Sequence, residues 1–108
     1  RKLKELRNLT GDHGFDQNYV LNKEEDGWTL AATLTSASSD LTMMVYTDQP
    51  GLQLYTGQHL AEPFHPLAGL CLETQAFPDA PNHPNFPSAI LLPGETYSKR
   101  TLLKFKWN

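Results

Sequence analysis

The sequence lacks most of the groups from which common active sites are assembled. Its 108 residues include a single cysteine, Cys71, which precludes an internal disulfide and fits a reducing compartment. No uncharged apolar run approaches the ~20 residues that a membrane-spanning helix needs, and no signal peptide is visible, so no membrane association is expected and a soluble, cytoplasmic setting is. The net charge of −3 comes with no basic patch interleaved with aromatics, which argues against a nucleic-acid partner. There is no phosphate-cradling glycine loop, and Ser36, Ser38 and Ser39 lack the strand–turn–helix context of an activated nucleophile. The four histidines, His13, His59, His65 and His83, lie among Gly, Pro and Asp, and none has the spacing of a zinc site. The apolar fraction of 39% is low for a self-sufficient core, and a chain this short buries a smaller share of its surface than a large domain does. The chain opens on Arg1, with RKLKELRNLTGDHGFDQ and no capping signal, and reads as the continuation of a larger protein.

What the chain does have is strand periodicity. In Trp28–Thr35, Trp28, Leu30, Ala32 and Leu34 share one face, and the threonines with Ala31 share the other. In Leu41–Thr47 both faces are apolar, which predicts burial on both. Leu52–Thr56, Leu70–Gln75 and Thr101–Trp107 read as further strands, the last with one wet face carrying Lys104 and Lys106. Glu24-Glu25-Asp26-Gly27 reads as a hairpin loop joining Tyr19–Asn22 to the Trp28 strand. Ser36–Asp40, Asp48-Gln49-Pro50-Gly51 and Pro93-Gly94 carry turn chemistry. Phe77–Pro87 holds Pro78, Pro81, Pro84 and Pro87, which lack the donors a sheet ladder needs, so this segment is expected to be an ordered surface loop. Only Lys2–Leu9 has a weak helical pattern. The expected fold is all-β, a sandwich of antiparallel strands.

Alternation also sets apart particular polar residues. In Leu52-Gln53-Leu54-Tyr55, Gln53 points away from the two leucines. In Leu70–Gln75, Cys71, Glu73 and Gln75 share the face opposite Leu70, Leu72 and Thr74. If that face is half-buried, desolvation raises the carboxylate pKa towards neutrality, as a general base working near neutral pH requires; if it is exposed, a glutamate there is ordinary. Asp16 lies between Phe15 and Tyr19, a pairing of carboxylate and aromatics that suits a sugar, though a turn aspartate before a strand has the same look.

Three segments, in order, resemble one family. GFDQNYVL (Gly14–Leu21), PGLQLYTGQHL (Pro50–Leu60) and GLCLETQAFPDAPNHPNFPSAILLPGETY (Gly69–Tyr97) are similar to motifs of the aldose 1-epimerases, or galactose mutarotases. The long, irregular LETQ-x-FPD-x-PN-x-P-x-FP pattern makes a chance match very improbable. The resemblance implies that residues 1–108 are the C-terminal portion of such a domain, without its N-terminal portion. It also implies that the fold is part of that family's β-supersandwich. It puts Glu73 at the catalytic base and Asp16 and Gln53 at sugar-binding positions. It implies interconversion of the anomers of a hexose such as galactose or glucose, without metal or cofactor. The sequence departs from the family at Gln17, where a histidine is common, at Leu54, where an aromatic is usual, and at Gln58, where asparagine is usual; the stretch from Gln58 to Ala68 is short. The family's two active-site histidines, including the general acid, lie in its N-terminal part, and no histidine of this chain matches them. The remainder of the same protein is therefore the expected partner, and the chain alone is expected to be inactive. The alternative is a mutarotase-like module that binds sugar without turning it over. A hexose-phosphate epimerase would need cations for the phosphate, and Arg1, Arg7 and Arg100 all lie outside the matched site segments.

Overall fold

A computed structural model describes residues 14–107. The helical pattern of Lys2–Leu9 lies outside these residues. Six strands follow in order: β1 Asp16–Val20, β2 Thr29–Thr35, β3 Leu41–Thr47, β4 Gly51–Tyr55, β5 Cys71–Gln75 and β6 Thr101–Trp107. They form two three-stranded antiparallel sheets, β1-β4-β5 and β2-β3-β6. The all-β expectation is met, and five strands fall within one residue of the bounds alternation gives, β3 and β6 to the residue, whereas β1 starts earlier than the expected Tyr19–Asn22 strand and shares only Tyr19 and Val20 with it.

Strand pairing departs from the local reading in one respect. Gly27 takes a positive φ of 78° and the segment before it does turn, with Gly27 N–H donating to the Glu24 carbonyl. Yet β1 and β2 are not a hairpin: β1 pairs with β4, and β2 pairs with β3 in the other sheet. The polar Ser36–Asp40 connection makes the true hairpin, between β2 and β3. The Asp48–Pro50 turn carries the chain from one sheet to the other.

The β2 faces are also corrected. The register slips between Leu30, opposite Tyr46, and Ala32, opposite Val45. Adjacent residues of β3 point to opposite faces, so Leu30 is separated from Ala32 and Leu34, and Ala31 is the extra residue of a bulge.

The two sheets turn their apolar faces towards each other. Leu52, Leu54 and Leu72 of one sheet and Ala32 and Leu34 of the other line a cavity of about 550 Å³. The tightest packing lies where the chain crosses between sheets, with Val45 1% and Leu52 4% exposed. Polar ties hold this end. Thr47 Oγ1 donates to the Arg100 carbonyl (3.0 Å) and accepts from Gln49 N–H (3.1 Å). Thr74 and Thr101 hydroxyls meet across the sheets at 2.6 Å. Asp48 accepts from Arg100 N–H (3.0 Å) and from its guanidinium Nε (3.4 Å). The backbone hydrogen bond first, and the guanidinium charge with it, hold the Asp48 carboxyl below its ordinary pKa. The Arg100 guanidinium also lies over the Trp28 ring, 4.7 Å from its centroid.

Away from that end the sheets are less covered than alternation implies. β3 is half-buried apart from Val45 and Thr47. β6 is exposed on both faces, with Leu103 52%, Phe105 46% and Trp107 75% accessible, so among the described residues it has no dry side.

Candidate functional site

The outer face of the β1-β4-β5 sheet carries the polar residues set apart by alternation. Residues directly opposite in adjacent strands share a face. The pairs Asn18↔Gln53 and Gln53↔Glu73 make one row across the three strands. Asp16↔Tyr55 and Tyr55↔Cys71 make the next, and Val20↔Gly51 and Gly51↔Gln75 the third. Tyr19, Leu52, Leu54 and Leu72 have the other parity and line the cavity between the sheets. Asp16, Gln53 and Glu73 are therefore brought together on one face, with Gln53 directly across from Glu73. The large apolar cavity lies on the opposite face.

Hydrogen bonds organise that face. Gln53 Nε2 donates to Asp16 Oδ1 at 2.8 Å. Gln75 Nε2 donates to Gln53 Oε1 (3.1 Å) and to Asn18 Oδ1 (3.0 Å). Gln53, Gln75 and Asn18 are half-buried, whereas Asp16, Cys71 and Glu73 are exposed. The half-buried surroundings that would have desolvated Glu73 are thus not supplied by the described residues. Asn18 and Gln75 were not singled out by the sequence as site residues. Their parity with Asp16 and Glu73 was the signal that could have found them.

The aromatic beside Asp16 is Tyr55, its direct cross-strand partner. Tyr19 faces the other way, so the Phe15–Tyr19 bracket read from the sequence does not form. His59 donates its backbone N–H to Tyr55 Oη (3.2 Å), and the two rings stack with centroids 6.5 Å apart. The entry to β1 is fixed by Thr56, 1% exposed, whose Oγ1 accepts from Phe15 N–H at 2.7 Å. Gly14, at a φ of 69°, gives that hydroxyl room: an added Cβ would lie 2.5 Å from it.

The proline-rich segment after β5 is ordered, as expected, and built around a 3₁₀ turn, Ala80–Asn82. Asp79 enters it in the left-handed region at a φ of 60°, and its carboxylate meets the Asn82 amide and His83 Nε2. His83 stacks on Phe86, which meets Phe77 edge-on at 5.2 Å. Phe77 in turn covers Gly51, where an added Cβ would lie 3.1 Å from Phe77 Cδ1 and 2.5 Å from Asn18 Oδ1. Among the described residues no cluster of three or more His, Cys, Asp or Glu could hold a metal ion, and no helix is long and apolar enough to cross a membrane.

Residues 1–104 match the model of the family described as aldose 1-epimerase. The chain is 45% identical over 103 residues to the galactose mutarotase of Mus musculus, covering 86% of this chain and 29% of that protein. It is 41% identical over 103 residues to the galactose mutarotase of Homo sapiens, again covering 86% of this chain and 29% of that protein. It is 40% identical over 101 residues to the aldose 1-epimerase of Escherichia coli K12, covering 85% of this chain and 29% of that protein. The chain thus spans under a third of the length of these curated relatives. With the family model matched along nearly its whole length, this chain belongs to the aldose 1-epimerase family.

Proposed function

We propose that this chain is the C-terminal portion of an aldose 1-epimerase that interconverts the α and β anomers of a hexose such as galactose or glucose, with Glu73 as the general base. The observation that carries this reading is the gathering of Asp16, Gln53 and Glu73 on one outward face of one sheet, with Glu73 directly across from Gln53. In this reading Glu73 takes the proton from the C1 hydroxyl while an acid protonates the ring oxygen. The C1–O5 bond opens, the aldehyde turns about C1–C2, and closure with reverse proton transfers delivers the other anomer. Asp16 and Gln53 hold sugar hydroxyls, the carboxylate accepting and the amide N–H donating. The acid comes from the histidines that the family carries N-terminal to the region covered here. Facing this sheet, that part of the protein would also complete the sugar pocket and the supersandwich. Residues 1–108 alone are then inactive.

The support is twofold: family membership and the shared face. Among the described residues, Arg100 is the only arginine, and it is engaged by Asp48 and Trp28. Polarimetry on freshly dissolved α-D-galactose tests the proposal. The intact protein should speed the approach to the equilibrium rotation, and a rate equal to that of buffer would refute it.

A further inference from the structure

The network beside Glu73 contains two amides to which the proposed reaction gives no role. Resting on the reading of Gln53 as a sugar-binding side chain, we propose that Gln75 and Asn18 are positioning residues that fix which end of the Gln53 amide meets the sugar, with Asp16 setting the direction of the whole row.

An amide has a donor end and an acceptor end, and the two differ little in shape, so its orientation follows from its partners. A carboxylate only accepts. Asp16 Oδ1, 2.8 Å from the Gln53 amide, therefore requires the nitrogen of Gln53 on its side. That places Gln53 Oε1 towards Gln75, which must answer with its own nitrogen at 3.1 Å. The Gln75 nitrogen has a second N–H, and Asn18 Oδ1 receives it at 3.0 Å. One charge at the edge thus orders three amides in sequence, and reversing any one sets donor against donor or acceptor against acceptor. Gly51 makes room for the last member, since a Cβ there would overlap the Asn18 oxygen at 2.5 Å.

The consequence lies at the sugar. In the ordered row, Gln53 spends one N–H on Asp16 and offers the other beside the Asp16 carboxylate. A donor next to an acceptor matches a hydroxyl group, which also does both. With Gln53 reversed, two acceptors would stand side by side and a single hydroxyl could satisfy only one. Gln75 and Asn18 therefore act on sugar binding through Gln53, without touching the sugar.

The test uses the full-length protein carrying this chain and the substitutions Gln75→Met, Asn18→Ala and Gln53→Ala. Gln75→Met keeps the length and removes the donor. It should raise KM for galactose by roughly three- to tenfold, the scale of one lost hydrogen bond, with kcat within about twofold. In the Gln53→Ala background the same substitution should add nothing further, because the amide it orients is gone. A purely structural role would instead add its effect in both backgrounds. A second measurement is independent of turnover. With ¹⁵N-glutamine labelling, the Gln53 side-chain N–H pair should be shifted and slow to exchange in the wild type, and should move towards free-glutamine values in both Gln75→Met and Asn18→Ala. If the wild type does not accelerate mutarotation, the proposed function fails while this resonance still decides the ordering of the row. Additive KM effects, or a Gln53 resonance unmoved by Gln75→Met, would overturn the inference.

Discussion

Gly51→Ala is the most informative small change in this sheet, because two opposing effects can be separated. Replacing a strand glycine by alanine restricts the unfolded chain and by itself stabilises by about 0.5–1 kcal/mol. Against this, the new methyl would lie 2.5 Å from Asn18 Oδ1 and 3.1 Å from Phe77 Cδ1. An ordinary non-bonded contact is about 3.5 Å, so the Asn18 amide must retreat by roughly 1 Å and the ring by a few tenths. The bond that Gln75 donates to Asn18 is 3.0 Å long and does not survive such a retreat. Losing it costs about 1 kcal/mol, more if the half-buried oxygen finds no other donor. The sum in the wild type is a change between zero and about 1 kcal/mol of destabilisation. In an Asn18→Ala background the obstructing amide is absent, and the same substitution should be more favourable by about 1 kcal/mol, neutral or stabilising. Urea denaturation of the four proteins of this cycle, made in the full-length protein, gives the coupling directly. Additive effects would refute the claim that Gly51 exists to seat the Asn18 amide.

Other outcomes follow from the packing and the charges. Val45 is 1% exposed and paired with Ala32 and Leu103, so Val45→Ala should cost about 2 kcal/mol in urea denaturation. A loss below ~0.5 kcal/mol would mean that this end of the sandwich is not where the core is. The Asp48 carboxyl is held below its ordinary pKa by Arg100. A depressed carboxyl contributes stability that is present above the unfolded-state value, near 4, and is lost as pH falls below it. The urea midpoint of the wild type should therefore decline below about pH 4, and Asp48→Asn should flatten part of that decline while lowering the midpoint modestly at pH 7. An unchanged pH profile in the variant would contradict the assignment.

Much of this was legible in the sequence because strand periodicity is a local property. Thr101–Trp107 and Leu41–Thr47 could be bounded to the residue. What local chemistry does not report is the partner. The Glu24–Gly27 turn reads the same whether the next strand joins the same sheet or the facing one, and here it joins the facing one. The bulge at Ala31 was invisible for a related reason, since Thr29–Thr35 contains no Gly or Pro to mark it and is set only by pairing with β3. At the site, alternation isolated Gln53 and Glu73 and placed Gln75 beside Glu73. It could not show that Gln75 bridges Gln53 and Asn18, because that depends on β1 and β5 flanking β4. The same long-range order brought Tyr55, not Phe15 or Tyr19, to Asp16.

The measurement that bears most directly on the account is mutarotation by the full-length protein with Glu73→Gln, followed by polarimetry from pure α-D-galactose. Glutamine keeps the shape of the side chain and removes its capacity to accept a proton. With the fold intact by circular dichroism, kcat should fall by about 10²–10⁴-fold, the usual contribution of a positioned general base, while KM changes little. An undiminished rate in the folded variant would contradict the assignment of Glu73 as the base.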